Sequence, residues 1–295
     1  MKATIRQNIY PLMILSMISW GVAWTNASIV SDYFDFYDLV SLRFFFGALS
    51  LIPILFMDKK KFSFKISYLK YLIPASMMFF LYNVSFFMGT YYGDPGKGAV
   101  FATTTNPIIT LSIMALITRR ITKKEILGIL GGALGGLLIM NVFWTGFGDM
   151  FSMENIFFPI CSFLWGIVTV LISYAQKKIP AFQFIFYCYL ITALLSAPFT
   201  SIEMQELSNL DLRFYFNFFM VSIASMAFGT SVYMYSTTII GPVRSSAFIF
   251  SVPIIALLAA YFMLDEPVYA STVIGGTVCL FSTYIVNKNR DLNNT

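Results

Sequence analysis

Long apolar runs separated by short polar breaks follow one another along the whole chain. Most approach or exceed the roughly 20 residues a helix needs to cross a bilayer. Cut at charges and turn residues, the pattern predicts ten helices: Asn8 to Val30, Phe36 to Met57, Tyr68 to Tyr91, Gly98 to Ile117, Glu125 to Phe143, Met153 to Tyr174, Ala181 to Thr200, Leu212 to Thr238, Val243 to Leu264 and Val268 to Val286. No connection has room for a soluble domain. The expected fold class is therefore an all-α integral membrane protein of ten transmembrane helices.

The pattern also repeats. A shift of about 146 residues brings Ser19-Trp20-Gly21 near Leu164-Trp165-Gly166, and Asn106-Pro107 onto Val252-Pro253. It also sets the glycine-rich fifth helix on Gly275-Gly276 of the tenth. Five helices fall in each half, 1-147 and 148-295, so the second half enters the membrane from the opposite side. Two inverted five-helix repeats are the layout of secondary transporters, whose halves rock about a site near the bilayer midplane.

Composition supports the membrane reading: 58% of residues are hydrophobic and 11% charged, against about 45–50% and about 25% in soluble domains. The N-terminal run is too long for a secretory signal, and a second run follows at once. Of the 19 Lys and Arg, 16 fall on alternate loops: Lys2, Arg6; Lys59, Lys60, Lys61, Lys65, Lys70; Arg119, Arg120, Lys123, Lys124; Lys177, Lys178; Arg244; Lys288, Arg290. By the positive-inside rule these loops and both termini are expected in the cytoplasm. The net charge of +5 then orients helices at membrane edges, and nucleic acid is not an expected partner.

Cys161, Cys188 and Cys279 lie in apolar runs without CxxC spacing, so neither a disulfide framework nor a zinc site is implied. The chain has no histidine, no GxxxxGK[ST] loop and no metal-ligand cluster, so no cofactor or metal is expected. No carboxylate falls at mid-membrane, which favours uniport or exchange, with Asp38 or Glu125 at span edges as alternative coupling groups.

Several short motifs occur together in order: Trp20-Gly21 and Trp165-Gly166, Arg43, Pro107 and Pro253 within the fourth and ninth helices, Asp265-Glu266-Pro267, and glycine-rich fifth and tenth helices. In these the chain resembles the EamA family of the drug/metabolite transporter superfamily over nearly its whole length. The resemblance implies a ten-helix exporter of small metabolites such as amino acids, nucleosides or amines, in an inner or plasma membrane. One departure is Arg119-Arg120, which stands where the second half has Asp265-Glu266.

Candidate solute-contacting residues follow from polarity inside the spans. Trp20 and Trp24 share a helix face with Ser16 and Ser28, which suits a cavity wall, the alternative being interfacial anchoring. Trp165 is the counterpart of Trp20. Tyr82 and Asn83 put a phenol and an amide mid-helix, and the amide needs a partner in solute, water or a neighbouring helix. Thr103, Asn106 and Thr110 share a face around Pro107, which frees a backbone carbonyl and serves with Pro253 as a candidate kink. Arg43 can bind a solute anion, snorkel outward or pair with a loop aspartate. Tyr233, with Tyr235, is a further lining candidate. Lys97 and Arg244 sit beside Gly-Pro turns, either as vestibule charges or as solvated helix ends.

The path is expected among helices one, three, four, six, eight and nine, with five and ten at the periphery and polar recognition weighted to the first half. Gly128, Gly131, Gly132, Gly135 and Gly136 give overlapping GxxxG spacings, for helix packing or for a homodimer. Two rivals have sequence features of their own. A phosphorylated-sugar or nucleotide exchanger needs clustered cations in its cavity, where only Arg43 is well inside a span. An intramembrane aspartyl protease of GxGD type is suggested by Tyr37-Asp38 and Gly146-Phe147-Gly148-Asp149, but requires the two aspartates to meet within the membrane.

Overall fold

A computed structural model describes residues 2–57, 62–119, 121–202, 207–239, 248–249 and 251–287. Most of them are helical, and among them there is no strand. Lys59, Lys60, Lys61, Arg120, Arg244, Lys288 and Arg290 lie outside the described residues, so the vestibule suggested for Arg244 does too.

The helices are α1 (Lys2–Val30), α2 (Phe36–Met57), α3 (Leu69–Tyr92), α4 (Pro95–Thr118), α5 (Lys123–Ile139), α6 (Phe157–Ala175) and α7 (Ala181–Ser196). Then α8 (Leu212–Phe219) runs unbroken through a π-helical segment, Met220–Gly229, into α9 (Thr230–Ile239). Finally come α10 (Val252–Leu264) and α11 (Ala270–Asn287). Seven described helical stretches are long and apolar enough to cross a membrane. The helices Val252–Leu264 and Ala270–Ile285 are apolar but shorter. The fifth helix, expected to run to Phe143, stops at Ile139, and Asn141 beyond it turns left-handed (φ 60°).

Local chemistry sets the boundaries. Asp94 precedes Pro95 at the first position of α4, where the missing N–H is harmless. Thr122 and Glu125 form a reciprocal capping box at α5, and the Asp211 carboxylate accepts from Phe214 N at 2.8 Å to start α8. Arg119 and Asp265 close α4 and α10 with left-handed backbone at φ 53° and 55°. Pro107 lies inside continuous α4. Pro253 instead occupies the first turn of α10, so the mid-helix proline expected in the ninth helix is corrected to a helix start, a position Pro fits without a kink.

Glycine allows the closest approaches. A Cβ on Gly135 would lie 2.5 Å from Cys279 Sγ and 2.7 Å from Gly275 O, and one on Gly275 would lie 2.6 Å from Gly135 O. The glycine stripe of α5 thus packs on α11, while Gly132 and Gly136 face Ile108 and Phe101 of α4. The close approach that these glycines permit is used within the chain.

Gly21 and Gly166 show a second pattern. A Cβ on Gly21 would be 2.6 Å from Ile255 Cγ2, and one on Gly166 would be 2.8 Å from Ile109 Cγ2. Each Trp-Gly pair packs two residues beyond the proline of the opposite half.

Large apolar side chains cover the outside; Leu116 and Phe262 are 79% and 76% exposed. Such a surface suits lipid, which satisfies apolar side chains while the helices satisfy their own backbone. Cys161, Cys188 and Cys279 are free and buried.

Candidate functional site

A cavity of about 660 Å³ lies among the helices. It extends from Trp24 and Phe86 to Met114, Ser173 and Gln176, near the ends of α4 and α6 that lead into Arg119 and Lys177. Trp20, Trp24, Arg43, Tyr82, Asn83, Thr103, Asn106, Trp165 and Tyr233 all stand on its wall, as does Pro107; Pro253 does not.

A hydrogen-bonded chain crosses the wall. Trp20 Nε1 donates to Ser225 O at 2.9 Å, and Ser225 Oγ accepts from Arg43 Nη2 at 3.4 Å. Arg43 Nη1 donates to Asn83 Oδ1 at 2.7 Å, and Arg43 Nε donates to Val221 O at 3.1 Å. The π-helical segment therefore links α1 to α2 and α3; wide turns of this kind are frequent at functional sites.

Arg43 is 5% exposed, so it does not snorkel, and its partners are a carbonyl, an amide oxygen and a hydroxyl rather than a loop aspartate. Its guanidinium also lies 4.8 Å from the Phe86 ring centroid. Asn83 has protein partners for both ends of its amide, since its Nδ2 donates to Phe79 O at 2.8 Å.

The threonines beside Pro107 turn inward on their own helix. Thr103, Thr104 and Thr105 donate to Ala99 O, Val100 O and Phe101 O at 2.6, 2.6 and 2.7 Å. The hydroxyl of Thr103 keeps acceptor capacity toward the cavity. Asn106 Oδ1 accepts from Thr110 Oγ1 at 3.3 Å.

Aromatic rings form the rest of the wall. Trp165 and Tyr82 have centroids 4.9 Å apart, Trp24 and Phe86 4.8 Å, and Trp20 and Tyr233 5.3 Å. Ser162 and Thr169, on the same helix face as Trp165, also line the cavity, as do Tyr189, Phe79, Ser225 and Thr230, which sequence reasoning missed. Tyr189 sits in an aromatic-rich run where nothing separates a cavity-facing ring from a lipid-facing one. The hydroxyls of Ser162, Ser225 and Thr230 show that the second half also brings polar groups to the wall. Arg43 on α2, Tyr189 on α7 and Thr283 on α11 show that the second, seventh and tenth predicted helices also reach the wall.

Toward the starts of α4 and α6 the helices pack closely. Fully buried Phe158 is wedged against Gly89, Gly93 and Gly98. Beside it, Glu266 accepts from Gly96 N at 2.7 Å and Lys97 N at 3.0 Å. Burial raises its carboxyl pKa above the ordinary value, only partly offset by these two amides. Lys97 is no open vestibule charge: its Nζ donates to Asn155 Oδ1 at 2.8 Å. The edge carboxylates are engaged too. Asp38 accepts from Thr200 Oγ1 and Ser201 N, Asp149 from Thr145 Oγ1, and Glu125 closes its capping box.

A helical architecture among the described residues, with a lipid-suited exterior, defines a multi-pass membrane protein. The EamA-like transporter family matches it twice, over residues 7–141 and 152–288, and the chain belongs to that family, within the drug/metabolite transporter superfamily and in the plasma membrane. It is 24% identical to "Uncharacterized transporter YyaM" of Bacillus subtilis (strain 168), with 92% of this chain and 91% of that one covered. It is 23% identical to an "Uncharacterized transporter" of Archaeoglobus fulgidus over 95% and 98% of the two chains. A solved structure described as "Crystal structure of protein" matches with TM-score 0.61 at 16% identity, covering 97% of this chain and 99% of that chain.

Proposed function

We propose that the chain is a secondary transporter moving a small organic solute by alternating access, with export as its direction, and that it is not an enzyme. The observation that carries this is the cavity, walled by helices of both halves. We assign ten transmembrane helices in two inverted repeats, 1-147 and 148-295, with both termini cytoplasmic. Supporting this are the reciprocal packing of Gly21 on Ile255 and Gly166 on Ile109, and the left-handed caps Arg119 and Asp265. Two halves related by a pseudo-two-fold axis in the membrane plane exchange contacts in this way. In this orientation the end of the cavity near Met114 and Gln176 faces the cytoplasmic side, and the packing around Phe158 lies toward the outer side.

In this reading Trp20, Trp24, Arg43, Tyr82, Asn83, Thr103, Asn106, Trp165 and Tyr233 contact the solute, and Pro107 provides flexibility in α4. A phosphorylated-sugar or nucleotide exchanger fits less well, because Arg43 is the one cation among the cavity-lining residues described. Asp38 and Asp149 bond to separate groups, which favours transport over aspartyl proteolysis.

The test is flux of amino acids, nucleosides, amines and organic acids into liposomes carrying the purified protein. Protein-dependent uptake that saturates and shows counterflow is expected. If no solute crosses while folding and orientation are verified, the transport reading fails.

A further inference from the structure

The Arg43 guanidinium is 5% exposed and borders the cavity, yet every hydrogen-bond partner it has is neutral. A guanidinium carries five N–H donors; those three bonds leave donor capacity beside the cavity. No Asp, Glu or Lys lies among the described residues of the wall, so its fixed charge is a single positive one. An arginine in low dielectric is held far better with a counter-anion than without one, and its planar fork matches a carboxylate. Around it the wall is aromatic, with Trp24, Phe86, Tyr82 and Trp165 in ring contact. Such a wall accepts a flat apolar body.

We infer that Arg43 is the anchor of an anion subsite, and that the solute is an organic monocarboxylate with an aromatic or otherwise flat apolar body. The inference rests on the transport reading above for its biological sense, though the subsite itself is a binding property. A second negative charge on the solute would meet no second cation, and an amine in place of the carboxylate would face Arg43 with like charge. The carboxylate would replace the long Ser225 contact first, because at 3.4 Å it is the weakest of the three. Asn83 then acts as a positioning residue, fixing the fork through Nη1.

The full chain in lipid nanodiscs is titrated with matched probes: phenylacetate, phenylacetamide, phenethylamine and phenyl phosphate, and indole-3-acetate with its amide. At least one carboxylate should bind about tenfold more tightly than its amide, a difference of about 1.4 kcal/mol, and phenethylamine and phenyl phosphate should also bind more weakly. In Arg43→Gln the preference should shrink to within about twofold, while Arg43→Lys keeps part of it. Asn83→Asp, which sets an internal carboxylate against the intact Arg43, should remove the preference as well. That variant and the wild-type probe series decide the matter even if Arg43→Gln does not fold. Equal binding of acid and amide, no binding of either carboxylate, or a tenfold preference surviving in Arg43→Gln or Asn83→Asp overturns the inference. Flux of only neutral or cationic solutes would overturn the subsite and leave transport standing, whereas selective carboxylate binding without any flux would do the reverse.

Discussion

Replacing Glu266 with alanine removes the acceptor of two amides at the start of α4, from a loop that joins α10 to α11. Gly96 is buried and Lys97 half-buried, so the first amide stays dry and the second reaches some water. An unsatisfied buried donor costs about 1–3 kcal/mol. That corresponds to a fall in Tm of roughly 2–9 °C for a chain of this size. Glu266→Gln keeps one acceptor and removes a buried charge, so it should lose less. The pH dependence has a definite sign. Burial raises the carboxyl pKa above 4.5 in the folded state, so its ionisation opposes folding. The stability of the wild type relative to Glu266→Gln should be greatest below that value and fall as pH rises through the folded pKa, then level off. Thermal unfolding followed by tryptophan fluorescence across this pH range measures all three proteins. An unchanged Tm in Glu266→Ala, or a wild-type advantage over Glu266→Gln that grows with pH, would refute the reasoning.

Gly135→Leu forces a side chain against Cys279 and the Gly275 backbone, and should cost at least about 1–3 kcal/mol, whereas Gly148→Ala, with open space around it, should leave the Tm unchanged. Asn83→Leu deprives Arg43 Nη1 of its acceptor and should destabilise by about 1–3 kcal/mol in the same assay, with Asn83→Gln less severe. Thr122→Ala breaks the α5 capping box and should cost about 1 kcal/mol, read as faster amide hydrogen exchange at the start of that helix. Asp211 accepts from Phe214 N and from the Tyr33 hydroxyl, which hold its pKa below 3.8. Its contribution is therefore complete above that pH and lost as pH falls through the lower folded value. Tyr33→Phe should shift this acid limb upward.

The sequence by itself determined the helical membrane class, because backbone groups in lipid must bond within their own segment and the side chains must be apolar over a bilayer's thickness. The ordered motifs gave the family for the same reason of spacing. That the nine candidate residues would line an interior wall was legible because a phenol, amide, hydroxyl, guanidinium or indole inside such a run needs a protein interior. Their partners were not. That Asn83 holds Arg43, that Ser225 joins Arg43 to Trp20, and that Glu266 caps α4 are contacts between residues 40, 182, 205 and 170 positions apart. Periodicity along one helix reports which face is polar, never which neighbour meets it. Phe79 stayed hidden because an apolar ring is equally at home in lipid and in a cavity, and Tyr189 because it sits in a run of aromatic residues that periodicity does not tell apart. The glycines showed that two helices approach closely, and only the packing of α5 on α11 decided that both belong to this chain.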